Sequence, residues 1–311
     1  MHGVHVSLIT PFTAAGAVDA ASLARLAGHV LDHGAAGLVA LATTGEAALL
    51  SAAEQRTVLE VCRAVTIDRG VPLTVGAGTM GTDDTVRQAR ERAPMADALL
   101  VVVPYYLRPS DEGVVEHFQA VGAAVDVPLL PYNIPYRTGK QLHLDTLLRL
   151  LDLDCVTSMK HCPGAIDADT LALLASGRPV LCGDDAYTYP MLRLGAAGAI
   201  SATACLAPAA CAGLDLATHN ALLPLVDALF AEPSPAVLKA CLAELGLIDD
   251  PAVRAPLRAP RRETVRRAMA AYRALYAEVD ACAAARAACG IAATTRSSAA
   301  SSCAADRNHT S

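Results

Sequence analysis

Short apolar runs alternate with helix-like stretches from the start of the chain, and this alternation restricts the fold more than any other feature of the sequence. Residues 4–9 read as a strand, 19–33 as a helix and 37–42 as the next strand. Ser51 followed three residues later by Glu54 is a capping-box signature that opens another helix. Further strands are expected at 71–76, 98–103, 127–132, 155–160, 179–182 and 198–201. Helices are expected between them, at 82–92, 111–124, 144–151, 165–176 and 186–194. Strands separated by helices pair in parallel, and eight such units, each of roughly 25 residues, close into a (β/α)8 barrel, the TIM-barrel class of α/β fold. The rival, a doubly wound open sheet, calls for a glycine-rich phosphate loop after the first strand. Thr10-Pro11-Phe12-Thr13 is not such a loop, and Gly76-Ala77-Gly78 after the third strand does not complete the G-x-G-x-x-G pattern.

The barrel is expected to occupy 1–207. After about Ala204 strand signals stop, and 208–282 reads as a C-terminal helical extension with turns near Pro224, 233–235 and 250–260. The last stretch, 283–311, is rich in Ala, Ser, Thr and Arg without an apolar period, so it is expected to be disordered or partly helical.

Composition removes several classes of function. A formal net charge of −6 gives no general attraction for nucleic acid, and Arg261, Arg262, Arg266 and Arg267 follow helical spacing, as a solvated face would. The opening Met1-His2-Gly3-Val4-His5 lacks a signal peptide's cationic and apolar regions, and the densest apolar run, 98–103, is far shorter than the about 20 residues of a membrane span. The ten cysteines are scattered singly, with no C-x-x-C pair and no metal-ligand spacing, so they read as reduced thiols in a cytoplasmic protein. No metal site is expected.

Lysine is scarce. Of 25 basic side chains only Lys140, Lys160 and Lys239 are lysines. Lys160 ends the apolar run Cys155-Val156-Thr157-Ser158-Met159, at the mouth of an expected buried strand. Desolvation there disfavours the ammonium and frees an amine to attack a carbonyl. A lysine that marks the strand's exit into solvent would look the same, so its position alone leaves both readings open.

The other strand ends decide between them, because barrel enzymes place their chemistry at the C-terminal ends of the strands. Those ends carry Thr43-Thr44-Gly45-Glu46, Tyr105-Tyr106, Tyr132-Asn133 with Arg137 shortly after, Lys160, and Gly183-Asp184-Asp185. Taken singly, Tyr132 could be a strand aromatic, the threonines a helix cap and the aspartates a helix first turn. Together they supply an amine, a phenol, two hydroxyls and a glycine that lets backbone N–H groups approach a carboxylate. That inventory suits Schiff-base chemistry on a 2-oxo acid, with phenol and hydroxyl moving protons.

These segments, with Ile9-Thr10-Pro11-Phe12, Tyr132-Asn133-Ile134-Pro135-Tyr136-Arg137-Thr138-Gly139, Arg108-Pro109-Ser110 and Ala197-Gly198-Ala199-Ile200-Ser201, resemble the dihydrodipicolinate synthase / N-acetylneuraminate lyase family of class I aldolases. The resemblance runs from residue 4 to about 275. It implies a homotetramer of barrels, built from dimers, in which Lys160 forms an imine with pyruvate and no cofactor is required. It also implies that amides around Thr43 and Thr44 hold the pyruvate carboxylate. Tyr132 would pass protons through Thr43 to Tyr106, the latter supplied by a neighbouring subunit, while the Ile200 carbonyl and the turn at Gly183 line the pocket. Paired threonines before Gly-Glu, and Arg137, resemble the synthase branch. In that branch Arg137 would bind the carboxylate of aspartate semialdehyde, giving 4-hydroxy-tetrahydrodipicolinate on the diaminopimelate route to lysine.

Some positions depart from the family pattern. His161-Cys162-Pro163-Gly164 follows Lys160 where synthases carry an acidic residue, a small one, a hydroxyl and glycine. Leu107 replaces a frequent asparagine, and Pro131 precedes the tyrosine. If the strand continues, His161 points away from Lys160. The changed motif keeps open an aldolase or hydro-lyase of the same family acting on a sugar acid or other 2-oxo acid adduct. A catalytically silent binding barrel would be expected to lack Lys160 or Tyr132, and both are present. Where lysine-inhibited members bind lysine, this chain has Ala47, Ala52, Gln55, Met80 and Asp84; only Asp84 and Tyr105 keep comparable chemistry, so weak or absent feedback is expected.

Overall fold

The computed structural model describes residues 1–288. Strands β1 (Gly3–Ser7), β2 (Gly37–Ala40), β3 (Leu73–Ala77), β4 (Ala98–Val102), β5 (Leu129–Asn133), β6 (Met159–His161), β7 (Val180–Cys182) and β8 (Gly198–Ser201) pair in parallel in chain order, and β8 returns to β1 to close the barrel. Between them lie α1 (Ala20–Asp32), α2 (Ala52–Arg69), α3 (Thr82–Arg92), α4 (Asp111–Gly122), the single turn α5 (Pro135–Thr138), α6 (Leu144–Leu151), α7 (Ala168–Ala175) and α8 (Thr188–Arg193). After the barrel come α9 (Pro208–Ala212), α10 (Leu216–Phe230), α11 (Ala236–Glu244) and α12 (Arg262–Ala288).

The strands read as unbroken apolar runs because both of their faces are buried. Val4 and Val6 point outward into the large core shared with the helices, whereas Val39, Leu100, Leu130, Leu181 and Ile200 fill the barrel interior together with Tyr132 and Cys162. The helix starts are specified locally. Ser51 Oγ accepts the Glu54 N–H at 3.3 Å while Glu54 Oε2 accepts the Ser51 N–H at 2.8 Å, the reciprocal cap expected for α2. Side chains of Asp19, Ser110 and Asp167 cap α1, α4 and α7, each cap being worth about 1 kcal/mol.

Two expectations need correction. Pro224 does not break a helix but lies inside α10. Its missing N–H costs one ladder bond, which burial of Leu222, Leu225, Val226 and Leu229 against the C-terminal helices offsets. The strand expected over 155–160 is regular only from Met159. The chain turns tightly after α6, with the Val156 N–H on Leu153 O at 2.8 Å, and first touches β5 through the isolated Leu129–Val156 bridge. At the other end α12 continues to Ala288, past residue 282, and 289–311, where most of the expected disordered tail falls, lies outside the described residues.

Candidate active site

Tyr132 on β5 and Lys160 on β6 occupy the same register position on neighbouring strands, so both side chains enter the barrel interior at its C-terminal end. Each is nearly fully buried. Lys160 Nζ sits 4.5 Å from the centre of the Tyr132 ring. The Tyr132 phenol is hydrogen-bonded to the Thr43 side chain. Burial pushes the phenol's pKa well above its ordinary value, and neither the Thr43 bond nor nearby Arg137 offsets that, so Tyr132 stays protonated through neutral pH.

Thr43 and Thr44 lie in a single 3-10 turn, Thr43–Gly45, that follows β2. Ser7 Oγ on β1 donates to Thr44 Oγ1 at 3.1 Å, and Thr10 Oγ1 donates to Gly45 O at 2.7 Å, tying the turn to the neighbouring strand. Sequence reasoning did not single out Ser7. Its only signal was its place at the end of β1, two residues after His5 on the same face. Left-handed non-glycine residues bracket this turn, Leu41 at φ +53° and Glu46 at φ +54°. Leu41 is accommodated because β3 presents Gly76, where an added Cβ would collide with Leu41 O and lie 2.7 Å from its carbonyl carbon.

Gly183 follows β7, its N–H on His161 O at 3.0 Å. A Cβ at this position would strike Cys162 Sγ and come within 2.5 Å of Lys160 Cε, so only glycine leaves room for the extended lysine. Ile200 on β8 is buried on the interior wall. Cys162 shares that wall, and burial pushes its thiol well above the usual range despite the nearby Lys160 charge, so it is no ready nucleophile. Burial also raises the Asp184 carboxyl, which accepts the Gly164 N–H at 2.8 Å. Asp185 instead accepts the Ala202 and Thr203 N–H groups and the Thr203 hydroxyl, and so fastens the loop after β8.

Two expected site residues stand apart from this cluster. Arg137 is exposed on α5, its guanidinium 5.6 Å from the ring centre of Tyr136 at the barrel mouth. Tyr106 is 80% exposed on the loop after β4, at φ +68°, with its N–H on Thr138 O at 3.1 Å. His161 turns to the outer face of the sheet, as strand alternation requires. Its Nδ1 lies 3.1 Å from Asn133 Nδ2 and its Nε2 3.1 Å from Thr170 Oγ1 on α7, while Thr170 Oγ1 donates to Asp167 at 2.7 Å. With the Asn133 amide and the Thr170 hydroxyl so arranged, the ring is neutral with its proton on Nε2, and burial lowers its pKa to about 4. Among the described residues no three His, Cys, Asp or Glu side chains group as a metal site would need, and no helix is long and apolar enough to cross a membrane.

The sequence profile of the Dihydrodipicolinate synthetase family matches residues 1–275. The chain is 37% identical to a 4-hydroxy-tetrahydrodipicolinate synthase of Syntrophus aciditrophicus (strain SB), over 87% of this chain and 98% of the relative. Among solved structures it resembles the 4-hydroxy-tetrahydrodipicolinate synthase of the methanotroph Methylacidiphilum fumariolicum SolV, with a TM-score of 0.85 at 29% identity over 90% of this chain and 98% of that one. It also resembles the dihydrodipicolinate synthase of Acinetobacter baumannii complexed with pyruvate, with a TM-score of 0.84 at 32% identity over 88% of this chain and 99% of that one. Closed barrel, matched profile and relatives agree, and the chain belongs to the dihydrodipicolinate synthetase family.

Proposed function

We propose that this aldolase-type lyase condenses pyruvate with L-aspartate 4-semialdehyde to 4-hydroxy-tetrahydrodipicolinate through an imine on Lys160. The Lys160 amine attacks the keto carbon of pyruvate, and loss of water leaves the imine. Its protonated form acts as an electron sink, so the pyruvate methyl group gives up a proton to the Tyr132–Thr43 relay. The resulting enamine adds to the aldehyde carbon, whose oxygen takes a proton back from the relay. The amino group of the adduct then attacks the imine carbon, closing the ring and releasing Lys160. Tyr132 and Thr43 move the protons. The amides of Thr43 and Thr44 hold the pyruvate carboxylate against the wall formed by Gly183 and Ile200, and Arg137 receives the carboxylate of the semialdehyde at the mouth.

The observation that carries this reading is the buried Lys160 amine set against the ring of a Tyr132 phenol that is already hydrogen-bonded to Thr43. The relative from Acinetobacter baumannii, solved with pyruvate, supports the substrate. The departing residue after Lys160 gives the alternative substrates little support, because His161 faces α7 and not the pocket. The reaction draws on no cofactor beyond the Lys160 amine. A homotetramer supplying Tyr106 across an interface accounts for an aromatic side chain left exposed and held in a left-handed conformation. A cytoplasmic location fits a biosynthetic enzyme of this kind.

The test is borohydride reduction in the presence of pyruvate followed by peptide mass analysis, with turnover on aspartate semialdehyde measured alongside. A reduced pyruvyl adduct confined to the Lys160 peptide, together with turnover, is the expected result. An adduct without turnover would move the chain to another aldehyde, and failure to trap any adduct would end the imine reading.

A further inference from the structure

Glu46, the last residue of the Thr43-Thr44-Gly45-Glu46 segment, points away from the pocket and is buried. Its Oε1 accepts from Lys239 Nζ at 2.5 Å and its Oε2 from the Arg254 N–H at 2.8 Å. Lys239 lies on α11, outside the barrel, and is completely buried; its ammonium also donates to Ala252 O at 2.7 Å and sits 4.0 Å over the Phe12 ring. Arg254 covers the same ring at 4.5 Å, donates to Leu49 O at 3.2 Å and pairs with Glu54. A buried ion pair is costly to desolvate and strongly destabilising to break on one side. A left-handed non-glycine residue such as Glu46 persists only where its surroundings over-determine it. Both costs fall on the turn whose amides face the pyruvate carboxylate.

We infer that Lys239 and Glu46 are positioning residues: the C-terminal helical extension reaches back through this pair to fix the Thr43–Gly45 turn for carboxylate binding and for the Thr43–Tyr132 hydrogen bond. The inference rests on the assignment of that turn to pyruvate given above. Lys239 touches no substrate and moves no proton in the reaction; it acts on the turn through Glu46.

The test uses the full chain with Lys239→Met, Glu46→Gln and the double substitution. The single changes each leave one charge buried without its partner and are expected to lower Tm. The double removes both charges at similar volume and keeps a folded protein available for measurement. In the folded double variant, deuterium uptake by a peptide spanning 41–50 should rise while uptake by the β5 and β6 peptides stays at the wild-type level. The KM for pyruvate should rise about tenfold or more, with the KM for the aldehyde within about twofold, because misplaced binding groups cost far more than their own contacts. Unchanged exchange in 41–50, or an unchanged pyruvate KM in a folded variant, would overturn the inference and leave the pair a purely structural link. Borohydride trapping on the wild-type protein separates the two ideas. If Lys160 gives no adduct there, the pyruvate assignment itself is wrong and the positioning role falls with it.

Discussion

Lys160 Nζ and the Tyr132 ring lie 4.5 Å apart because the two residues share one register position on adjacent parallel strands. The barrel thus sets this pair with backbone hydrogen bonds and no mobile loop. An amine over an aromatic face is attracted while charged, and the phenol beyond it is bonded to Thr43. Removing the phenol oxygen leaves the packing intact, so Tyr132→Phe should keep Tm within a few degrees and still trap pyruvate on Lys160. Its kcat should fall by about 10²-fold or more, the usual worth of a positioned proton-transfer group. Steady-state kinetics with trapping on the same sample checks this, and a Phe variant with wild-type kcat would remove Tyr132 from the proton path.

Gly183 makes a sharper geometric demand. A methyl group there would overlap Cys162 Sγ and sit 2.5 Å from Lys160 Cε, so Gly183→Ala should displace the lysine and cut pyruvate trapping by about 10²-fold. Cys162→Ala, which only empties space beside Lys160, should retain trapping, and the Cys162→Ala, Gly183→Ala double variant should remain impaired because the lysine clash persists. Recovery of full trapping in the double variant would show that sulfur, not Lys160, was the obstacle.

Much of this was legible in the sequence, for identifiable reasons. The eight strands could be found because parallel strands buried on both faces appear as continuous apolar runs, and 198–201 matches β8 end to end. Lys160 and Tyr132 stood out because polar residues at the ends of such runs are rare and costly. Lys239 was visible only as one of three lysines, since nothing local to α11 announces that its partner is Glu46, 193 positions earlier in the chain. Arg254 was hidden for the same reason. The strained backbone at Leu41 and Glu46 has no sequence signal either, because both are residues that ordinarily avoid positive φ. Pro224 misled because its helix-breaking tendency is local, whereas the burial that overrides it is tertiary.

Three buried histidines define an acid limit. His5, His117 and His161 are each lowered by burial from 6.5 to about 4. Between those values the unfolded chain binds protons that the folded chain does not, so stability rises with pH across this window and is lost as pH falls from about 6.5 toward 4. Each histidine contributes at most roughly 3 kcal/mol to that loss. Urea midpoints measured from pH 7 to pH 4 should fall steeply. His161→Gln, which keeps a donor for Thr170, should flatten the curve, and an unaltered slope in that variant would show that His161 does not titrate with unfolding.

Weak or absent feedback by lysine is the last expectation, and the contacts at the matching positions give a physical reason for it. Of the positions where lysine-inhibited relatives would present partners, Gln55 is already engaged: its Nε2 donates to Ala47 O at 3.0 Å and Leu50 O at 3.1 Å, and its Oε1 accepts from Arg92 Nη2 at 2.6 Å. Arg92 is itself buried, donates to Gly76 O at 2.6 Å and is lowered to about 10 by desolvation, so it remains a cation at neutral pH. Asp84 is paired with Arg87 at 2.6 Å. An ammonium-bearing ligand entering between α2 and α3 would therefore meet a fixed guanidinium and no free carboxylate from these positions, and like charges repel. Lysine should bind with a Kd weaker than about 1 mM, less than about 4 kcal/mol of binding free energy. Calorimetry and initial rates with up to several millimolar lysine decide the matter. Replacing Gln55 by histidine and Arg92 by an uncharged residue should strengthen any residual response, whereas sub-millimolar inhibition of the wild-type enzyme would show that lysine finds partners elsewhere on the surface.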